Sequence, residues 1–161
     1  MAGGFGTRLH PVTLEIPKPL LTVNRKPILN HLIELFEKHG VSHPIVVINK
    51  NHRDDYKWWQ KRYQNELPKN LKIAVEPKPL GTFGGMKYLR GELKEPFILS
   101  NGDQLQNFDL SDLLAAHKNN PRNPVATIAL VKVPNPSDYG LPVLKGNRII
   151  EFIEKPSKKL N

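Results

Sequence analysis

Cysteine is absent from the 161 residues. Its absence excludes disulfides, thiol nucleophiles and thiolate metal sites, and makes a reducing cytoplasm the expected compartment. No apolar run reaches the roughly 18–20 residues that a membrane span requires, and no signal-peptide pattern opens the chain, so no membrane partner is expected. Acidic residues are scarce: 15 Asp and Glu against 24 Lys and Arg leave a formal charge of +9. That imbalance favours a phosphate-bearing partner, either nucleic acid or a phosphorylated metabolite, and does not choose between them. Internal repeats and low-complexity linkers are missing as well. Apolar residues still amount to 39%, enough for a core and too many for a disordered chain, and the length suits one domain.

Fifteen prolines and eleven glycines cut the chain into short elements. The apolar, β-branched run 41–49, centred on Ile45-Val46-Val47-Ile48, predicts a buried strand. Further strands are predicted over 72–76, 96–100 and 125–133, while 141–144 and 148–154 flank Lys145-Gly146-Asn147 as a hairpin. Helices are predicted between the strands. Pro27 suits a first helical position, Ile28, Leu29, Leu32, Ile33, Leu35 and Phe36 form one stripe, and Gly40 marks the stop. Two more helices are predicted over 54–67 and 83–93, and Ser111 is the predicted cap of a fourth through Leu113, Leu114 and Ala115. Such alternation predicts an α/β domain with a mostly parallel sheet, placed over 1–157 with a tail at 158–161.

The opening Gly3-Gly4-Phe5-Gly6-Thr7-Arg8-Leu9 carries the most information. Three glycines in four positions let successive N–H groups converge on an anion, and Arg8 adds a fork matched to phosphate oxygens. Neither the dinucleotide fingerprint nor the Gly-Lys-Ser/Thr phosphate loop is met, and a plain turn accounts for the glycines equally well on spacing alone. Other pieces bear on that choice. Pro17-Lys18-Pro19 stiffens the backbone around one lysine. Leu80-Gly81-Thr82-Phe83-Gly84-Gly85 is a second flexible loop before a predicted helix, whose N-terminus favours anions. Asn101-Gly102-Asp103 puts a carboxylate at the end of an apolar strand, where α/β sheets hold ligands and where Asp commonly anchors Mg²⁺. Glu151-Phe152-Ile153-Glu154-Lys155-Pro156 ends another strand with a carboxylate beside an ammonium group.

In this order the motifs resemble those of the sugar-1-phosphate nucleotidyltransferases, whose pattern is Gly-Gly-x-Gly-Thr-Arg-Leu, Pro-Lys-Pro, Leu-Gly-Thr-x-Gly, an Asp after an apolar strand, and Glu-Lys-Pro. All five are present between Ala2 and Pro156. The resemblance implies a Rossmann-like three-layer α/β/α fold. Gly3, Gly4, Gly6, Thr7 and Arg8 would hold a nucleoside triphosphate, with Arg8 on its phosphates. Lys18 would contact the α-phosphate or the incoming sugar phosphate, and Gly81 and Glu76 would border the base. Asp103 would bind the catalytic Mg²⁺. Gly140 and Glu154 would touch the sugar, and Lys155 would pair with its phosphate. The implied reaction moves a nucleoside monophosphate onto a sugar 1-phosphate and releases pyrophosphate. GTP is favoured over dTTP and UTP, because the motifs look closer to mannose- or heptose-1-phosphate guanylyltransferases.

The chain departs from that pattern at its ends. The strand expected before the glycine loop and a second metal-binding Asp beyond Glu-Lys-Pro are both absent, so the sequence reads as partial, with the first strand missing. Oligomerisation stays open. A non-catalytic nucleotide-binding or regulatory module is the alternative, although retention of the phosphate and metal positions counts against it. Phe83 replaces a residue that is usually small; its ring could stack on the base or fill a gap between neighbours, and packing is the expected role. Six histidines lack metal-ligand spacing, so structural roles are expected of them. In Lys57-Trp58-Trp59-Gln60-Lys61-Arg62, helical spacing predicts one tryptophan in the core and a solvated basic face, and no nucleic-acid partner is expected. Asp54-Asp55 reads as the charge of a helix N-terminus.

Overall fold

The computed structural model describes residues 1–4, 9–78, 80–81, 83–135, 137 and 139–154. Gly6, Thr7, Arg8 and Lys155 lie outside the described residues, as does the expected tail. The chain divides into two compact units, Met1–Leu114 and Ala115–Asn161, where the sequence suggested one domain.

In the first unit the β-branched run forms β3 (Ile45–Asn49), after the two-residue strands β1 (Thr22–Val23) and β2 (Lys26–Pro27). β3 pairs in parallel with β4 (Lys72–Glu76), with Ile45 opposite Lys72 and Asn49 opposite Glu76. The strand begins four residues later than predicted, just after Pro44, whose missing N–H cannot donate to a ladder. Its burial is nearly continuous, as a strand covered on both faces requires.

The first helix, α1 (Val12–Glu15), is a single turn, and α2 (Ile28–Lys38) lays its apolar stripe on the sheet, burying Leu29, Leu32 and Ile33. Pro27 is its N-cap, one position earlier than expected, and Gly40 turns the chain away at φ +75°. α3 (Arg53–Arg62) carries Asp54 and Asp55 in its first turn and buries Trp59, while Trp58 is 64% exposed. The helix ends sooner than predicted and continues as turns. Trp59 and Tyr56 meet edge to face at 6.0 Å, and each polar tip is satisfied: the indole N–H donates to Asn30 Oδ1 at 2.7 Å, the Tyr56 hydroxyl to Ala2 O at 3.1 Å. Ala2, Leu29, Ile33, Val46, Ile48 and Leu71 complete this core.

Three expectations are corrected here. The segment 83–93 holds a 3₁₀ stretch over Gly84–Leu89 in place of an α-helix, since two leading glycines weaken the α preference. Phe83 does not pack; it is 67% exposed. Ser111 does not cap α4 (Leu110–Lys118): the helix begins one residue before it, so Asp109 stands at the cap position and its Oδ1 accepts the Ser111 N–H at 2.7 Å.

Residues 96–100 and 125–133 also lack strand pairing despite strand-like composition. The described ladders are thus one parallel and two antiparallel pairs, and not the mostly parallel sheet expected. Residues 100–102 do make a parallel rung with the start of the chain: the Met1 amino group donates to Ser100 O and the Gly102 N–H to Met1 O, both at 2.7 Å. Ala2 N donates in turn to Val47 O at 2.8 Å, so Met1 and Ala2 lie between β3 and residues 100–102.

The second unit is organised by the antiparallel hairpin β5 (Gly140–Lys145) and β6 (Arg148–Glu154). Gly146 supplies φ +60° at the first central position of its two-residue turn, which suits the twist of the strands. A register shift follows, leaving Ile150 without an opposite residue. None of the apolar side chains described in this unit is buried, so the ladder and turn set its geometry.

Candidate functional site

Lys18 belongs to a 3₁₀ turn, Lys18–Leu20, entered from Pro17 and followed by buried Pro19. Fixed φ angles on either side stiffen the backbone from which the side chain projects. Asp103 arrives from the other end of the unit, on the turn after Asn101-Gly102. Gly102 fits closely there: a Cβ would lie 3.1 Å from Ala2 Cβ and 3.2 Å from Met1 O, so a larger residue would make its neighbours shift. The outcome is an ion pair across 85 positions of sequence: Lys18 Nζ donates to Asp103 Oδ2 at 2.9 Å, with each side chain 34% exposed. Both groups remain open to solvent and to a ligand.

A second cluster is buried. Glu76, at the C-terminal end of β4, is 4% exposed, and its Oε1 has no hydrogen-bond partner. Gly85 packs directly over that oxygen, where a Cβ would overlap it, and a Cβ on Gly3 would lie 3.4 Å from Oε2. Its ladder partner Asn49 accepts the Asn51 N–H at 2.9 Å through Oδ1, while its Nδ2 has no partner. A buried orphan acceptor and orphan donor on opposed residues are unusual, since such groups ordinarily find partners. Both end parallel strands on the side where open α/β sheets bind ligands. Asn49 was missed in the sequence; the available signal was a lone amide closing an apolar run.

The Met1 amino group ties the clusters together. Burial pushes its pKa down, and the charges of Asp103 and Glu76 oppose that fall. Both carboxylates therefore act on one point.

Of the remaining expected residues, Gly4 is exposed with open space around its Cα, and Gly81 takes φ +77° in an exposed loop. Gly140 and Glu154 face each other across the β5–β6 ladder of the second unit, and a Cβ on Gly140 would lie 3.0 Å from Glu154 Oε2. A side chain at position 140 would make that exposed carboxylate shift slightly. Among the described residues no three His, Asp or Glu side chains gather as a metal site.

This is an α/β chain whose first unit joins an ammonium to a carboxylate in a partly exposed ion pair and buries a second carboxylate at a strand end. The chain belongs to the Nucleotidyl transferase family, which it matches over residues 1–161. It is 37% identical over 171 residues to a Danio rerio protein named mannose-1-phosphate guanylyltransferase catalytic subunit beta, covering 100% of this chain and 46% of the relative. The chain thus spans about half the length of that relative. Among solved structures, a Bacillus anthracis protein named for glucose-1-phosphate thymidylyltransferase activity superposes with a TM-score of 0.82 at 24% identity, covering 96% of this chain and 62% of the other. HddC from Yersinia pseudotuberculosis, solved with GMP-PN, gives 0.75 at 27% identity, with 97% and 68% covered.

Proposed function

We propose that the chain transfers a nucleoside monophosphate from a nucleoside triphosphate to a sugar 1-phosphate, giving a nucleoside-diphosphate sugar and pyrophosphate. The observation that carries this reading is the Lys18–Asp103 pair, a partly exposed ammonium and carboxylate brought together from positions 85 residues apart. GTP with mannose or heptose 1-phosphate is the preferred substrate pair, in line with the guanylyltransferase relatives and the GMP-PN complex; dTTP and UTP are the alternatives.

The sugar phosphate is already an anion, so no general base or covalent nucleophile is required. Its oxygen forms a bond to the α-phosphorus while the bond from that phosphorus to the bridging oxygen breaks, and pyrophosphate departs with the electron pair. The obstacle is repulsion between two anions. Lys18 leaves Asp103 for the phosphates and aligns them, while Arg8 and Lys155 supply further positive charge. Asp103 fits Mg²⁺: it is a hard oxygen donor, partly exposed, and a single carboxylate suffices where phosphate oxygens complete the shell. When bound, the ion offsets phosphate charge. Positioning and fixed charge are then the sources of rate. Glu76 and Gly81 border the base, and Gly3, Gly4, Gly6 and Thr7 line the triphosphate. Gly140 and Glu154 hold the sugar.

The same reading places the chain in a three-layer α/β/α architecture built outward from β3 and β4. It also makes the protein cytoplasmic, in keeping with its lack of cysteine; among the described residues no helix is long and apolar enough to cross a membrane. The test is pyrophosphate release from the chain with Mg²⁺, each triphosphate and each sugar 1-phosphate. Release that requires both substrates is expected. Binding of triphosphate without turnover by any pair would overturn the enzymatic reading in favour of a non-catalytic nucleotide-binding module.

A further inference from the structure

The hairpin of the second unit carries a cluster of cations with no part in the reading above. Lys145 and Arg148 are opposite each other at the last rung before the turn. The two-residue turn leaves that register no freedom, and like charges directly opposed across a ladder destabilise it. Arg122 comes to the same place from a separate turn, in which Asn120 Oδ1 accepts the Arg122 N–H at 3.1 Å and Asn120 O accepts the Asn123 N–H at 3.1 Å. Together with Ile149 and Ile150, these three cations line a cavity of about 720 Å³. No carboxylate lines it, and among the described residues none pairs with any of the three. Two consecutive isoleucines can share one lining because the bulge falls at that point and breaks the alternation of faces.

We propose that this cavity binds a small phosphorylated molecule, whose phosphate takes Arg122, Lys145 and Arg148 and whose carbon skeleton lies on Ile149 and Ile150. Three cations unpaired among the described residues more than offset the charge of a phosphate dianion, and two of them are guanidinium forks suited to its oxygens. The apolar floor gives bare phosphate little and an organic phosphate more. An extended polyanion such as single-stranded nucleic acid fits less well, because binding of that kind rests on stacking platforms, and the lining has no aromatic side chain.

The experiment titrates the full chain with inorganic phosphate and, separately, with hexyl phosphate, following the arginine Nε–H resonances by NMR. Saturable shifts of Arg122 and Arg148 are expected, with hexyl phosphate binding more tightly. Arg148→Gln should weaken that binding about tenfold, the scale of one charged hydrogen bond, and Lys145→Gln should weaken it similarly. Lys18→Gln should leave it unchanged, which separates this site from the proposed transfer site. Unaltered circular dichroism guards against a folding defect, and either of the two hairpin variants suffices if the other unfolds. Shifts that fail to saturate, or that survive both hairpin substitutions, would overturn the proposal. So would a mixed-sequence oligonucleotide that binds these arginines more tightly than hexyl phosphate.

Discussion

Gly85→Ala is the substitution that most sharply probes the buried end of the first unit. The added methyl would overlap Glu76 Oε1 and would lie 2.8 Å from Val47 Cγ1 and 3.0 Å from Glu76 Cδ. Neither neighbour has anywhere to go, since Val47 is 3% and Glu76 4% exposed. Overpacking of this kind costs about 1–3 kcal/mol. For a body of roughly 100 residues that lowers Tm by at least about 4 °C. Gly91→Ala is the control: nothing lies within 4 Å of its added Cβ, so an effect between zero and about 1 kcal/mol of stabilisation is expected from the stiffer unfolded chain. In the double variant Gly85→Ala/Glu76→Ala the methyl occupies the space the carboxylate has left, so the two losses should not add. Thermal and urea unfolding of the parent, the three single variants and the double variant measure this directly. The reasoning is refuted if Gly85→Ala melts within about 1 °C of the parent, or if its loss simply adds to that of Glu76→Ala.

Asn30→Leu leaves the Trp59 indole N–H buried without its 2.7 Å acceptor, and urea unfolding should show a loss of about 1–3 kcal/mol. Adding Trp59→Phe should recover part of it, because the orphan donor goes too. The Ser111 backbone N–H, then the Ser111 side chain and the His39 ring hold Asp109 below its ordinary pKa of 3.8. A depressed carboxyl contributes stability that is complete above the ordinary value and is lost as pH falls through the lowered one. Asp109→Asn should therefore flatten the acid limb of a stability profile measured from pH 5 downward, and a profile parallel to the parent's would contradict the assignment. Lys18→Met removes the ammonium that competes for Asp103, so Mn²⁺ binding followed by electron paramagnetic resonance should tighten severalfold, on the scale of about 1 kcal/mol for a partly exposed pair.

Local pattern revealed the elements whose cause is local. The β-branched run of β3, the stripe of α2 between Pro27 and Gly40, and the Gly146 turn each have their physical reason within a few residues. Residues 96–100 look as apolar as β3, yet a strand exists only with a ladder partner, and partners are set by the whole chain. Composition over 83–93 suggested a helix, but Gly84 and Gly85 open it, and the close approach of Gly85 to Glu76 fixes where that backbone lies. At the site, the resemblance assigned Lys18 and Asp103 to the same reacting phosphates. Their direct ion pair could not be read from the residues, being tertiary. Asn49 escaped notice because one amide at a strand end is ordinary until it and its opposite residue each prove buried with one polar atom left unpartnered. Trp59 and Trp58 divided as helical spacing requires, one inward and one outward.

The most direct measurement is Mg²⁺-dependent pyrophosphate release from GTP and mannose 1-phosphate by the parent, Asp103→Asn, Lys18→Met and the double variant, each shown to be folded. If the two side chains serve one transfer site, each single change should lower the rate by about 10²–10³, the effect of removing one preorganised charge. The double variant should then fall well short of the product of the two losses, as residues acting as a unit do. Turnover by Asp103→Asn within a few-fold of the parent, or strictly multiplicative losses, would contradict the account.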